Sequence, residues 1–203
     1  MKLPPEMRSC LPRGGCETSS RKHSNLRGMV RDYIDCYRPS ARRGRGYFKR
    51  LASLEKAIEK AALAIDRKGK RSAHHRRRTA AQLSLGKSAL IAALPDLRRC
   101  KNFDQLHNRV RKATKPIKGL GKLYTYDTAH LIGARLRLSP KRVYLHSGTR
   151  KGAKALGFSG GLSYLMPAQL PTQLQVLKPY EMEDFLCIYE RGLARLKRAK
   201  RAA

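Results

Sequence analysis

The chain has 203 residues, with 46 Lys and Arg against 14 Asp and Glu and a formal charge of +32, so a polyanion is its expected partner. Hydrophobic residues make up 41% and aromatics 6%, without tryptophan, which allows a packed interior of Leu, Ile, Val and Ala. No apolar run approaches the roughly 20 residues that cross a bilayer, and Met1 to Gly15 has prolines and glycines where a signal peptide would be apolar, so no membrane partner is expected.

Cys10, Cys16, Cys36, Cys100 and Cys187 form an odd, scattered set with no CxxC pair. That pattern predicts free thiols and a reducing cytoplasm, and the charge adds the expectation of association with the nucleoid if the cell is bacterial. Cys10, Cys16, His23 and Cys36 do not have the spacing of a compact zinc finger. No metal and no cofactor is expected.

Residues 1–46 mix Pro, Gly, Ser and Arg with short apolar pieces. They read as a basic, largely disordered arm with one short helix near Asn25 to Tyr37, closed by the flexible linker Arg42-Arg43-Gly44-Arg45-Gly46. From Tyr47 the spacing of Phe48, Leu51, Leu54, Ile58, Ala61, Ala62 and Ile65 predicts an amphipathic helix. Residues 66–79, DRKGKRSAHHRRRT, read as a loop. His74 and His75 are adjacent and are expected to point apart, a poor metal pair and a better phosphate contact. Ala80 to Leu94 returns to helix and ends at Pro95. Asn102 with Gln105 has the form of a capping box, opening a helix that buries Phe103, Leu106, Val110 and Ala113 and runs to Pro116.

The segment Lys115-Pro-Ile-Lys-Gly-Leu-Gly-Lys122 then joins that helix to a second, Lys122 to Arg137. One glycine supplies a positive φ and both permit close backbone approach. The amides that open the second helix lack partners within it, at the positive end of its dipole, and such an end binds anions. Ser139-Pro140 reads as a helix start, and Gly157 as the stop of a helix near Thr149 to Leu156. Ser159 to Ala168 reads as a Gly-rich loop, and Leu170 to Leu177 as a short helix. A last helix opens at Pro179 and buries Met182, Phe185, Leu186, Tyr189, Leu193 and Leu196. Glu181, Glu183 and Asp184 in its first turn match the dipole. Between Asp127 and Glu181 the chain has no carboxylate. No segment alternates well enough to predict a strand.

With Ile117, Gly119, Leu120 and Gly121 in place, the region from Phe103 to Phe158 resembles the helix-hairpin-helix DNA-binding module, and more loosely the DNA glycosylase-like domain of base-excision enzymes. The resemblance implies that Lys118, Gly119, Leu120, Gly121 and Lys122 hold a DNA phosphate through backbone amides. Val143-Tyr-Leu-His146, followed by Gly148 to Phe158, is similar to the glycosylase segment after the second helix. The family's catalytic aspartate falls at Tyr144 and its lyase lysine at Leu123, neither of which can perform that chemistry.

The expected fold is all-α: a helical bundle over residues 47–203 that contains a helix-hairpin-helix motif at about 103–137 and ends in a basic tail. The final helix is expected to pack on the helices before the hairpin. The leading functional expectation is sequence-tolerant binding of duplex DNA, the hairpin supplying one set of phosphate contacts and Arg150, Lys151 and Lys154 a second row. Two alternatives stay open: a repair enzyme with displaced catalytic residues drawn from Asp127, Tyr144 and His146, and a protein that binds structured or ribosomal RNA.

Overall fold

A computed structural model describes His23 and residues 25–202. Most of the described chain is helical. In order, the elements are α1 (Leu26–Asp32), a π-helical stretch (Tyr33–Tyr37), α2 (Arg38–Lys49), α3 (Leu54–Ala62), α4 (Ala80–Ala92), α5 (Leu94–Arg98), α6 (Phe103–Thr114), α7 (Lys122–Leu136), β1 (Val143–Tyr144), α8 (Ser147–Ala155), β2 (Tyr164–Leu165), α9 (Pro179–Ile188) and α10 (Glu190–Ala202). The chain divides into two compact units, residues 42–140 and residues 1–41 with 141–203, in place of the expected single bundle over 47–203.

The short helix expected near Asn25 to Tyr37 is present, but it continues to Lys49 through the segment read as a flexible linker. Asn25 starts it by accepting the Gly28 amide at 2.8 Å. Met29, Val30, Tyr33 and Tyr37 then fall on one side and are buried, and this apolar face overrides the glycine and proline content. The part of the expected arm before residue 25 lies outside the described residues, His23 apart. Cys100 and Cys187 are free thiols, whereas Cys36 is disulfide-bonded, against the expectation of a wholly reduced set.

In the unit 42–140, the expected helix from Tyr47 to Ile65 is broken. Phe48 belongs to α2, and Ser53 caps α3 afresh by accepting the Lys56 amide at 3.0 Å. Arg45, read as a linker cation, is instead a clamp: its guanidinium donates to the backbone carbonyls of His130 at 3.5 Å and Leu138 at 3.3 Å, and to the Ser139 hydroxyl. Ser139-Pro140 therefore ends a unit and starts no helix. Thr79 and Gln82 form a complete capping box on α4, and Pro95 sits in the first turn of α5. Asn102 caps α6 through the Gln105 amide at 2.9 Å, while the Gln105 side chain accepts from Lys101. The core takes Phe48, Ile58, Leu90, Leu97, Phe103, Leu106, Val110 and Ile132.

In the other unit, β1 pairs antiparallel with β2, Val143 opposite Leu165 and Tyr144 opposite Tyr164, correcting the expectation of no strand. Two residues each are too short to show an alternating pattern in the sequence. Gly157, at φ 101°, closes α8 as expected. Leu170 to Leu177 contains a 3-10 turn at Thr172–Leu174. The last helix is interrupted at Tyr189, and α10 packs on α8. Gly152 allows α8 to meet α9, since a Cβ there would stand 2.2 Å from the Leu186 carbonyl oxygen.

His107 on α6 and His130 on α7 are half-buried. Burial, followed by the nearby Arg111, lowers the His107 imidazole to about 4, and burial with Arg45 lowers His130 to about 3. Both are neutral in the folded protein at pH 5, where the unfolded chain, with histidines near 6.5, takes up protons. Stability from these groups is therefore complete above about pH 6.5 and falls as the pH drops towards 4. The urea midpoint should decline across that window, and a His107→Gln, His130→Gln variant should show a shallower decline. An unchanged slope in the variant would assign the pH dependence to other groups.

Candidate nucleic-acid interface

The turn between α6 and α7 is built to be tight. The Ile117 amide bonds the Thr114 carbonyl at 3.0 Å, and the Leu120 amide bonds the Ile117 carbonyl at 3.1 Å. Leu120 is the turn's anchor, buried against Leu83 and Tyr124 with Ile117 and Leu63 packed alongside. Gly86 makes room for that anchor: a Cβ there would stand 2.6 Å from the Tyr124 hydroxyl and 2.9 Å from Leu120 Cδ1. Tyr124 donates to the Ala62 carbonyl at 2.9 Å. Burial pushes its hydroxyl up to about 12, which keeps it a donor at neutral pH.

The two glycines of the turn differ in what the fold asks of them. Gly119 has φ 96°, and a Cβ there would lie 2.4 Å from Gln82 Nε2, so its glycine is a structural requirement. Gln82 also donates to the Lys118 carbonyl at 3.1 Å, tying the turn to the start of α4. Gly121 has φ −87° and open space where a Cβ would stand. Nothing in the fold demands glycine at 121. Gly121 is the N-cap of α7 and supplies no side-chain cap. Among the described residues, the amides of Gly121, Lys122 and Leu123 meet no backbone or side-chain acceptor. Lys118, Gly121 and Lys122 are exposed around them.

The basic loop before α4 is held against the same helix. Asp66 Oδ1 accepts the amides of Lys68 and Lys70 at 2.8 and 2.9 Å, and Ile65 bridges to Arg71. A 3-10 turn at Ala73–His75 then places His75, 3% exposed, with its ring centroid 5.5 Å from that of Tyr124. His74 Nδ1 and His75 Nε2 converge on one oxygen of Asp127, at 3.3 and 3.0 Å. The expectation that the adjacent histidines point apart is corrected, because a 3-10 turn lacks the alternation of a strand and its neighbouring side chains can reach one group. Burial alone would raise the Asp127 carboxyl, but hydrogen bonds and charge from His74 and His75 outweigh it and hold the group far below the carboxylate range. Arg76 and Arg77 follow directly and are exposed.

Other predicted residues fall in the second unit. Tyr144 is half-buried on β1, and His146, 5% exposed, pairs through Nε2 with Glu183. Asp127 belongs to the unit 42–140 while Tyr144 and His146 belong to the other, and Asp127 and His146 each already have a partner. Arg150 donates to the Leu145 and Leu162 carbonyls at 3.1 and 3.3 Å, a structural use. Lys151 and Lys154 are exposed on α8, Lys151 lying 4.0 Å from Glu190.

In the acidic triplet of α9, Glu181 stands in the first turn as expected and accepts the Lys178 amide at 3.0 Å, and all three carboxylates are in addition engaged by side chains from elsewhere in the fold. Glu181, fully buried, accepts from Arg38 at 3.1 Å, Glu183 meets His146, and Asp184 accepts from the Tyr33 hydroxyl at 3.0 Å. Asp32 accepts from the Tyr189 hydroxyl and lies 3.4 Å from His23. Burial, then the neighbouring carboxylates, pushes both tyrosine hydroxyls far above their usual range. Only α9's own spacing hinted at this, since Glu181 and Glu183 interleave with the buried Met182 and Phe185. Among the described residues no group of three or more His, Cys, Asp or Glu is arranged to hold a metal ion, and no helix is long and apolar enough to cross a membrane.

No family model, no curated protein and no solved structure matches this chain.

Proposed function

We propose that the protein binds nucleic acid in a sequence-tolerant manner, with duplex DNA as the expected polymer, and that the turn between α6 and α7 grips the phosphodiester backbone in the manner of a helix-hairpin-helix module. The observation that carries the reading is the row of amides at Gly121, Lys122 and Leu123 without an acceptor among the described residues, flanked by exposed Lys118 and Lys122. They open the 15-residue helix α7, whose dipole favours an anion there. A glycine at 121 that the fold does not require keeps the backbone open to close approach. Charge supports the same conclusion, since the unit 42–140 holds 26 Lys and Arg against six Asp and Glu.

Asp127, by contrast, is spent on His74 and His75. Its role in this reading is to fix the turn that carries Arg76 and Arg77, which then supply phosphate contacts beside the hairpin. Backbone contacts of this kind position a protein without reading bases.

The test is the salt dependence of binding to a duplex oligonucleotide. Each neutralised phosphate contributes about 0.9 to the slope of log K against log salt, so contacts from the turn and the Arg76–Arg77 segment predict a slope of about −3 to −4. A parallel titration with structured RNA at matched salt should give weaker binding. A slope near zero on DNA would remove the proposal, and a clear preference for RNA would move it to the other polymer.

A further inference from the structure

A second basic feature of the unit 42–140 has no part in the hairpin. Arg42, Arg43, Gly46 and Tyr47 on α2 and Arg50 just after it line a cleft of about 470 Å³, to which Arg67 contributes from the turn after α3. That volume lies within the roughly 300–1,000 Å³ of small-molecule sites. Its lining contains four arginines and no carboxylate. The guanidiniums of Arg43, Arg50 and Arg67 repel each other across the cleft, and a bound phosphate relieves the repulsion through paired N–H donors matched to its oxygens.

The turn that presents Arg67 is rigid. Asp66, the acid nearest in sequence, uses Oδ1 to accept the amides of Lys68 and Lys70, and Ile65 bridges to Arg71 behind it. Tyr47 is fixed as well, edge-on to Phe48 at 5.5 Å between centroids, with the Lys60 ammonium 5.8 Å from its ring. An aromatic ring beside clustered guanidiniums offers a base a stacking partner while the phosphate is held. Gly46 adds no side chain to the cleft wall, and a Cβ there would stand 3.3 Å from Arg50 Nη1.

The geometry points to a nucleoside-phosphate site in this cleft, with Arg43, Arg50 and Arg67 on the phosphate and Tyr47 against the base. The shared chemistry has two sources, a free nucleotide or a nucleotide at the end of a strand. The site is separate from the hairpin and does not depend on the hairpin's role.

Two variants test it in the full chain. Gly46→Leu fills the cleft without changing charge, and Arg43→Ala, Arg50→Ala, Arg67→Ala removes the phosphate donors. Each is titrated at low salt with adenosine monophosphate, with inorganic phosphate and with a 5′-phosphorylated single-stranded oligonucleotide, after circular dichroism shows native helix content. The wild type should bind the monophosphate more tightly than inorganic phosphate, and both variants should lose at least tenfold. Loss with the oligonucleotide alone assigns the site to strand ends and also supports the cleft. Ligand affinities equal to wild type in both variants, or no binding of any of the three probes, overturn it. Because neither variant touches the turn at Gly121, duplex binding with its salt slope reports on the hairpin independently.

Discussion

Replacing Glu181 by alanine should destabilise its unit by about 3–5 kcal/mol, the usual cost of leaving one member of a buried ion pair alone. Glu181 is completely buried, and its Oε2 receives both Arg38, at 3.1 Å, and the Lys178 amide, at 3.0 Å. Arg38 in turn donates to the Val176 carbonyl at 3.1 Å, so one contact joins α2, the segment before α9 and α9 itself. Removing the carboxylate strands a guanidinium that is only 15% exposed and frees an amide at the start of α9. Against a total stability of about 5–15 kcal/mol for a typical domain, the loss is large. The double variant Arg38→Met, Glu181→Leu should recover most of it, because an apolar replacement of both partners removes the unpaired charge. The readout is hydrogen-exchange protection of α9 amides together with the urea midpoint. A single-variant cost below about 1 kcal/mol, or a double variant no better than the single, would show that the pair does not hold these elements together.

That ion pair also marks the limit of what the sequence could convey. Helices with a periodic apolar face and a polar cap were legible: α6 from Asn102, α7 after Gly121, and the Gly157 stop all follow from local chemistry. What failed were inferences in which a charge was given to solvent by default. Arg45 looked like a linker cation but binds the carbonyls of His130 and Leu138, and Glu181, a first-turn acid as expected, also lies in the core as the partner of Arg38. In a chain with such an excess of cations, a few arginines are spent inside, and nothing local distinguishes them from the rest. The clamp between Arg45 and the segment from His130 to Ser139 spans more than eighty residues of sequence. His74 and His75 failed for a different reason. The helix and strand periodicities used to separate adjacent side chains do not hold for a three-residue 3-10 turn, and their common target, Asp127, lies fifty-two residues beyond His75. At the α6–α7 turn the expectation that one glycine takes a positive φ holds at Gly119, while which of the two would do so was not legible, and the glycines play unequal parts.

The unequal glycines lead to the largest functional effect expected of a single substitution. Gly121→Glu should lower affinity for duplex DNA by about a hundredfold, since a like charge set against a phosphate costs several kcal/mol, while Gly121→Ala should lower it much less. The backbone at 121 already has a φ of −87° that any residue adopts, and no atom lies within 4 Å of a Cβ placed there. Both variants should therefore keep the native fold, which separates them from changes at Gly119. There the φ of 96° and the contact with Gln82 make alanine a folding defect, and reduced binding would be ambiguous. A carboxylate at 121 stands at the N-terminus of α7, where the helix dipole stabilises it and its oxygens can accept the same unpartnered amides a phosphate would use. It competes with the ligand for those donors as well as repelling it, and it should raise thermal stability slightly while binding falls. That opposite movement of stability and affinity is the signature to measure, by thermal melt and by anisotropy with a labelled duplex. Equal binding by wild type and Gly121→Glu would mean that the phosphate contacts lie elsewhere on the basic surface, and the turn would then serve only to pack α6 against α7.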